Sequence, residues 1–220
     1  GVQYAVNYKN NNPGKKVVIN FSGGGYASQQ AEQAVAYANT YGVTIVAAAG
    51  NNYGGGVDYP AAYSSSYTNV VAVSSTDMND NFSAYSSRGP QINISAPGGF
   101  GKVVVGNIFY YNYPSTPGRN IFSTTPNYAF TLQTDPSYQN DPYTSDLTQS
   151  YGYLDGTSAS APFVSGTVAL ILSRDPNLTP PQIRYILQAS ADKVPGMNGQ
   201  NWTDAYGYGR LNAYRATTRD

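Results

Sequence analysis

The sequence predicts an α/β fold organised around a mostly parallel sheet. Short apolar bursts alternate along the chain with segments of helical periodicity, which is the pattern of strand–helix–strand units. The bursts are continuous rather than alternating, as expected for strands covered on both faces. Hydrophobic residues make up 40% of 220 positions, enough for one sizeable core, so residues 1–220 are read as part of a single domain.

The elements follow in order. "GVQYAVNY" reads as helix from its first turn, with no strand before it, so the first strand of the sheet is expected to have one open edge. "VVINF" (17–21) and "VTIVAAAG" (43–50) are buried strands, and "ASQQAEQAVAYANTYG" (27–42) between them is a helix. In that helix Ala31, Ala34, Val35 and Ala38 recur at helical spacing and Gly42 supplies the stop. The unit therefore predicts a right-handed parallel crossover. "VVAVSS" (70–75) and "INISAP" (92–97) are two further strands. Residues 154–174 predict a core helix with Val164, Val168, Ile171 and Leu172 on one flank; close packing against the sheet is the expected reason for Gly166 inside it. "NLTPPQIRYILQASADKV" (177–194) predicts a last helix, capped by Thr179 with prolines in its first turn.

The stretch from about Gly99 to Gly152 is rich in Tyr, Pro, Asn and Thr and lacks helical periodicity. It reads as a long insertion, in which "KVVVGNIF" and "NIFSTT" are expected to form an exposed hairpin.

Composition removes several function classes. Formal net charge is zero, 11% of residues are charged and Lys15-Lys16 is the only basic pair, so no field exists for nucleic acid. Cysteine is absent, which excludes a disulfide framework and thiolate metal sites within these residues. No apolar run approaches a membrane span. The 22 tyrosines, with abundant Asn, Ser and Thr, point to an extracellular or cell-surface setting.

The chemistry centres on "LDGTSASAPFVSG" (154–166). A serine at the start of a helix faces unpaired backbone N–H groups and the positive end of the helix dipole, which together stabilise a developing oxyanion. Ser158 is therefore a candidate nucleophile, with its own N–H as one donor. The competing reading is that Thr157 or Ser158 merely caps the helix. "AAAGNN" (47–52) ends a buried strand, and the Asn51 amide there is placed to donate a second hydrogen bond. Gly50-Asn51 taken alone also fits an ordinary turn. The chain contains no histidine, so it carries no ordinary base for a serine.

These segments together resemble the subtilisin-like serine proteases, the subtilases. "GTSASAP" (156–162) is similar to their nucleophile motif, "VTIVAAAGNN" to the strand carrying their oxyanion asparagine, and "NFSGGG" (20–25) to their substrate-binding strand. "YPAAY", "FSAYSSRGP", "ISAPGG", "LTPPQIRYILQASA" and "YGYGRLNAYRA" follow in the family's order. Phe163 stands where many bacterial members have histidine, a position outside the catalytic triad.

The resemblance implies that these residues are the C-terminal portion of a three-layer subtilisin-like domain, completed by an N-terminal segment. It implies Ser158 as nucleophile and Asn51 as oxyanion donor. Ser22, Gly23 and Gly24 would pair with an extended protein or peptide substrate, and Ala48, Ala49 and Gly50 would line the pocket for the residue before the cut bond. With small residues on both walls and no acidic one, that pocket is expected to admit a large side chain. Tyr59-Pro60 resembles a site commonly cis in the family. The carbonyls of Ala61 and Tyr63 match a weak cation site, so a structural calcium or other cation is the one bound group expected, and no cofactor is required for the chemistry.

The family's aspartate and histidine precede the region matched here. The leading expectation is thus a serine endopeptidase active only with a partner N-terminal subtilase polypeptide that supplies both, as a cleaved piece or a separate product. The alternative is a non-catalytic subtilisin-like surface module. A glutamate base, as in the sedolisins, goes with an aspartate at the oxyanion position, and Asn51 argues against it.

Overall fold

The computed structural model describes residues 1–100, 103–105, 108–110, 120–129 and 150–218. Four parallel strands, β1 (Val18–Phe21), β2 (Thr44–Ala48), β3 (Val70–Thr76) and β4 (Ile94–Pro97), lie in sequence order across the main sheet. Helices α1 (Val2–Asn11) and α2 (Gln29–Thr40) cover one face, and α3 (Thr157–Arg174) and α4 (Pro180–Ser190) the other. A short α5 (Ala213–Thr217) packs on α3 and α4.

The two-residue period of each strand builds the two cores. Ile45 and Val70 point toward Val6, Val35 and Ala38 on the α1/α2 side. Their neighbours Val46, Val71 and Val73 point toward Val164, Val168, Ile171, Ile183 and Leu187 on the α3/α4 side. Every residue of β2 and β3 is consequently buried, which is why 43–50 reads as a continuous apolar run and β3 opens on Val70, Val71, Ala72 and Val73. Ser28 caps α2 by accepting the Ala31 N–H at 3.1 Å, and Gln182 Oε1 accepts the Thr179 N–H at 2.8 Å at the start of α4.

The two sheet edges differ. Beyond β4 the segment 207–211 supplies a partner: Ser95 N–H donates to the Gly209 carbonyl and Leu211 N–H to that of Ser95, at 2.9 and 2.8 Å. Arg210 locks the segment down with both carboxylate oxygens of Asp80, at 2.7 and 2.8 Å, and with Asp192 Oδ2 at 2.8 Å. Beyond β1 no described residue pairs. Asn20 and Phe21 are therefore exposed, although the run "VVINF" predicts a strand covered on both faces.

Three other expectations are corrected. The core helix begins at Thr157 rather than residue 154, because Tyr151–Leu154 form a strand, β8, antiparallel to β7 (Ile121–Thr124). The expected hairpin between two pieces of the insertion is instead a local one, β5 (Val103–Val105) with β6 (Ile108–Tyr110), while "NIFSTT" pairs with β8. A Cβ on Gly166 would meet nothing within 4 Å, so close packing among the described residues is not the reason for that glycine. Most of the remaining stretch read as an insertion lies outside the described residues.

Candidate active site

The start of α3 is built from three separated segments. Gly156, the N-cap, has φ +126, a backbone conformation that a side chain would strain. Its N–H donates both to the Gly98 carbonyl and to the Tyr85 hydroxyl, each at 2.9 Å. Tyr85 in turn donates to the Gly98 carbonyl at 2.6 Å and lies 2.6 Å from Ser75 Oγ. Burial pushes the Tyr85 hydroxyl up to about 12, although the hydrogen bonds with Ser75 and Ser83 act in the opposite direction.

Neither Thr157 nor Ser158 caps the helix. The cap comes from across the fold: Asn51 Oδ1 accepts the Thr157 backbone N–H and the Thr157 hydroxyl, each at 3.0 Å. Thr157 Oγ1 also accepts the Gly50 N–H at 3.1 Å. With Oδ1 held in this way, the remaining donor of Asn51, Nδ2, lies on the Gly156 side, 3.3 Å from where a Gly156 Cβ would stand. The Ser158 N–H meets no acceptor among the described residues. Two donors without an acceptor among the described residues thus meet beside Gly156 at the helix N-terminus that carries Ser158.

Ser158 is half-buried, and its Oγ donates to the Ser22 carbonyl at 3.2 Å, while Ser22 Oγ donates to the Ser158 carbonyl at 2.7 Å. Asn20 fixes the register of this contact by accepting from Ser165 Oγ of α3 and donating to Ser22 Oγ, both at 2.9 Å. The structure therefore brings Ser158, Asn51 and Ser22 together at the carboxyl ends of β1 and β2. Gly23 and Gly24 continue outward from Ser22 with their backbone groups unpaired among the described residues, until Gly25 exchanges hydrogen bonds with Tyr59 at 3.1 and 3.0 Å. Ala48, Ala49 and Gly50 are buried beside them, with the Gly50 carbonyl taken by the Ser87 N–H at 2.9 Å.

The peptide bond Tyr59-Pro60 is cis. The cation site does not fit: Tyr63, in the 3₁₀ turn Ala61–Ser65, has a carbonyl that already accepts the N–H groups of Ser66 and Tyr67 at 2.9 and 2.8 Å. Both its lone pairs are in use, and a cation beside Ala61 would gain nothing from it.

A family model described as the subtilase family matches residues 1–209. The chain belongs to the subtilase family. It is 32% identical over 216 residues to thermitase of Thermoactinomyces vulgaris, covering 98% of the chain and 57% of thermitase. It is 35% identical over 179 residues to the halolysin-like extracellular serine protease Nep of Natrialba magadii, covering 81% of the chain and 24% of that protein. Among solved structures, fervidolysin from Fervidobacterium pennivorans, a keratinolytic enzyme related to subtilisin, superposes with a TM-score of 0.70 at 29% identity, over all of the chain and 28% of fervidolysin. The subtilase segment in hand thus spans about half or less of these relatives.

Three residues of this subtilase site escape sequence reasoning. Thr157 sits in the quoted motif but is read there only as a cap. Tyr85 lies within "FSAYSSRGP", where nothing local shows that its hydroxyl reaches Gly156. Asp58, just before Tyr59-Pro60, stands between Gly24 and Gly50.

Proposed function

We propose that this subtilase is a serine endopeptidase whose nucleophile is Ser158. The observation that supports the reading is the pair of hydrogen bonds by which Thr157 occupies Asn51 Oδ1, which leaves Asn51 Nδ2 and the Ser158 N–H as donors beside Gly156, 3.3 and 3.7 Å from where its Cβ would stand. Ser158 Oγ attacks the substrate carbonyl carbon as a histidine from outside residues 1–220 takes its proton, and the oxygen that becomes negative receives both donors. Collapse expels the amine with that proton; the histidine then takes a proton from water, which attacks the acyl carbon, and returns it to Ser158 Oγ as the acid leaves.

The base is not among these 220 residues, since no histidine is. The Ser158 proton is held by the Ser22 carbonyl, which is too weakly basic to accept it. We assign the histidine and its aspartate to polypeptide outside residues 1–220, seated along the unpaired edge of β1 and the exposed flank of α3. Phe21 of β1 and Phe163 and Leu170 of α3, 39%, 43% and 55% exposed, form an apolar surface that fits such a segment. The substrate adds as an extended strand along Ser22–Gly24, where the backbone groups of Gly23 and Gly24 are unpaired among the described residues. Among the described residues no helix is long and apolar enough to cross a membrane. Extracellular action, as the name of the halolysin-like extracellular protease Nep states for that relative, is the setting this reading takes.

A fluorophosphonate probe, which labels only an activated serine, tests the proposal on the assembled protein with peptide mapping. A single adduct on Ser158, lost in Ser158→Ala, is expected. An unlabelled Ser158 in an assembly that contains the expected histidine would move the reading to a non-catalytic module.

A further inference from the structure

We propose that Asp58 makes this site select lysine or arginine immediately before the cleaved bond. The inference rests on the protease reading above and names its substrate class. It replaces the expected pocket, open to a large side chain and without an acidic residue on its walls.

Two segments flank the position of that substrate residue, and both are anchored at the start of α3. Ser22–Gly24 is tied there through the Ser22 carbonyl and Ser158 Oγ, and Ala48–Gly50 through the Gly50 N–H and Thr157 Oγ1. The Asp58 side chain lies against both of them. A Cβ built on Gly24 would lie 2.6 Å from Asp58 Oδ2, and one built on Gly50 2.6 Å from Asp58 Cγ. Glycine at both positions lets the carboxylate touch the two backbones at once. It forms an acidic floor between walls that are otherwise alanine and glycine.

The carboxylate is also held in place. Asp58 N–H donates to the Ala49 carbonyl at 2.8 Å, and Asn52 Nδ2 donates to Asp58 Oδ1 at 2.8 Å. Oδ2 accepts from no described residue, and no described Lys or Arg pairs with Asp58. A fixed carboxylate with one unused oxygen forms a charge-assisted bond with an ammonium or guanidinium entering between the walls. An aromatic or branched side chain there would take water from Oδ2 and return no donor, which is unfavourable for a charged group.

The test uses the assembled protein and peptides identical except for lysine, arginine, phenylalanine, leucine or alanine before the cut bond. The expected result is kcat/KM for lysine or arginine above that for phenylalanine by about tenfold or more, a ratio that Asp58→Asn lowers by about 10- to 100-fold. Peptide aldehydes ending in argininal should likewise inhibit the wild-type protein better than those ending in phenylalaninal, a comparison that needs no variant. Preference for phenylalanine or leucine, acceptance of alanine alone, or an unchanged ratio in Asp58→Asn would overturn the inference. If Ser158 takes the fluorophosphonate while basic peptides stay uncut, the specificity fails alone. If Ser158 also stays unlabelled, the protease reading fails and takes the specificity with it.

Discussion

Asn51 and Thr157 are joined twice: the side-chain oxygen of Asn51 accepts both the backbone N–H and the hydroxyl of Thr157, at 3.0 Å each. One amide therefore caps the central helix with its oxygen and presents its nitrogen to the site. Stability and chemistry share a side chain here, and substitutions can separate them.

Asn51→Asp keeps the capping oxygen and loses the donor, whereas Asn51→Ala loses both. The aspartate variant is expected to unfold at nearly the wild-type denaturant concentration, and the alanine variant to be less stable by about 1 kcal/mol. Both should lose about 10²–10³ in kcat with little change in KM. Urea unfolding beside steady-state kinetics checks the split.

Thr157→Val keeps the shape but leaves the Gly50 N–H without its acceptor and frees the Asn51 amide to turn. We expect a loss of about 1–3 kcal/mol in stability. A fall in kcat of about tenfold or more should accompany it, because the oxyanion donor is no longer held. Thr157→Ser, which retains the hydroxyl, should recover most of kcat. If it did not, the hydroxyl would not be what positions Asn51.

Tyr85 links pH to the geometry of the Gly156 turn. Its folded-state value of about 12 lies above the ordinary 10.0, so the native state holds the phenolic proton more tightly than the unfolded chain. The resulting stability is complete below pH 10 and is lost as pH rises toward 12, amounting to about 2–3 kcal/mol. Tyr85→Phe should be less stable at pH 8 and fall less steeply between pH 10 and 12. Denaturant midpoints of both proteins across that window check it, and the difference between them cancels the other tyrosines.

Phe163 and Leu170 test where the histidine-bearing polypeptide sits. Phe163→Asp or Leu170→Asp should lower the urea midpoint of the assembled protein by the equivalent of about 1.5–3 kcal/mol each and reduce fluorophosphonate labelling of Ser158. An exposed control such as Tyr214→Asp on α5, 75% exposed, should do neither. Equal effects at all three would place the contact elsewhere.

Much of the fold was legible locally. The runs at 43–50 and 70–75 are continuous because β2 and β3 are buried on both faces, and the helical spacing of Val164, Val168, Ile171 and Leu172 is the face α3 turns to the sheet. β1 misled, because an edge strand can be as apolar as a central one when its remaining neighbours lie outside the residues read. The helix start is not legible at 154, because Leu154 belongs to β8, whose partner β7 (Ile121–Thr124) lies far earlier in the chain, and Asp155-Gly156 separate it from α3.

By itself the sequence determined the order of strands and helices, the buried faces, the family, and Ser158 and Asn51 as candidates, since each is a matter of periodicity or of a short motif. Only the tertiary structure decided that Asn51 caps α3 from 106 residues away, that Tyr85 holds Gly156 from 71 away, and that the Asp58 carboxylate stands against two glycines from the loops after β1 and β2. Those contacts join residues far apart in the chain, and no local pattern encodes a distance that folding alone creates.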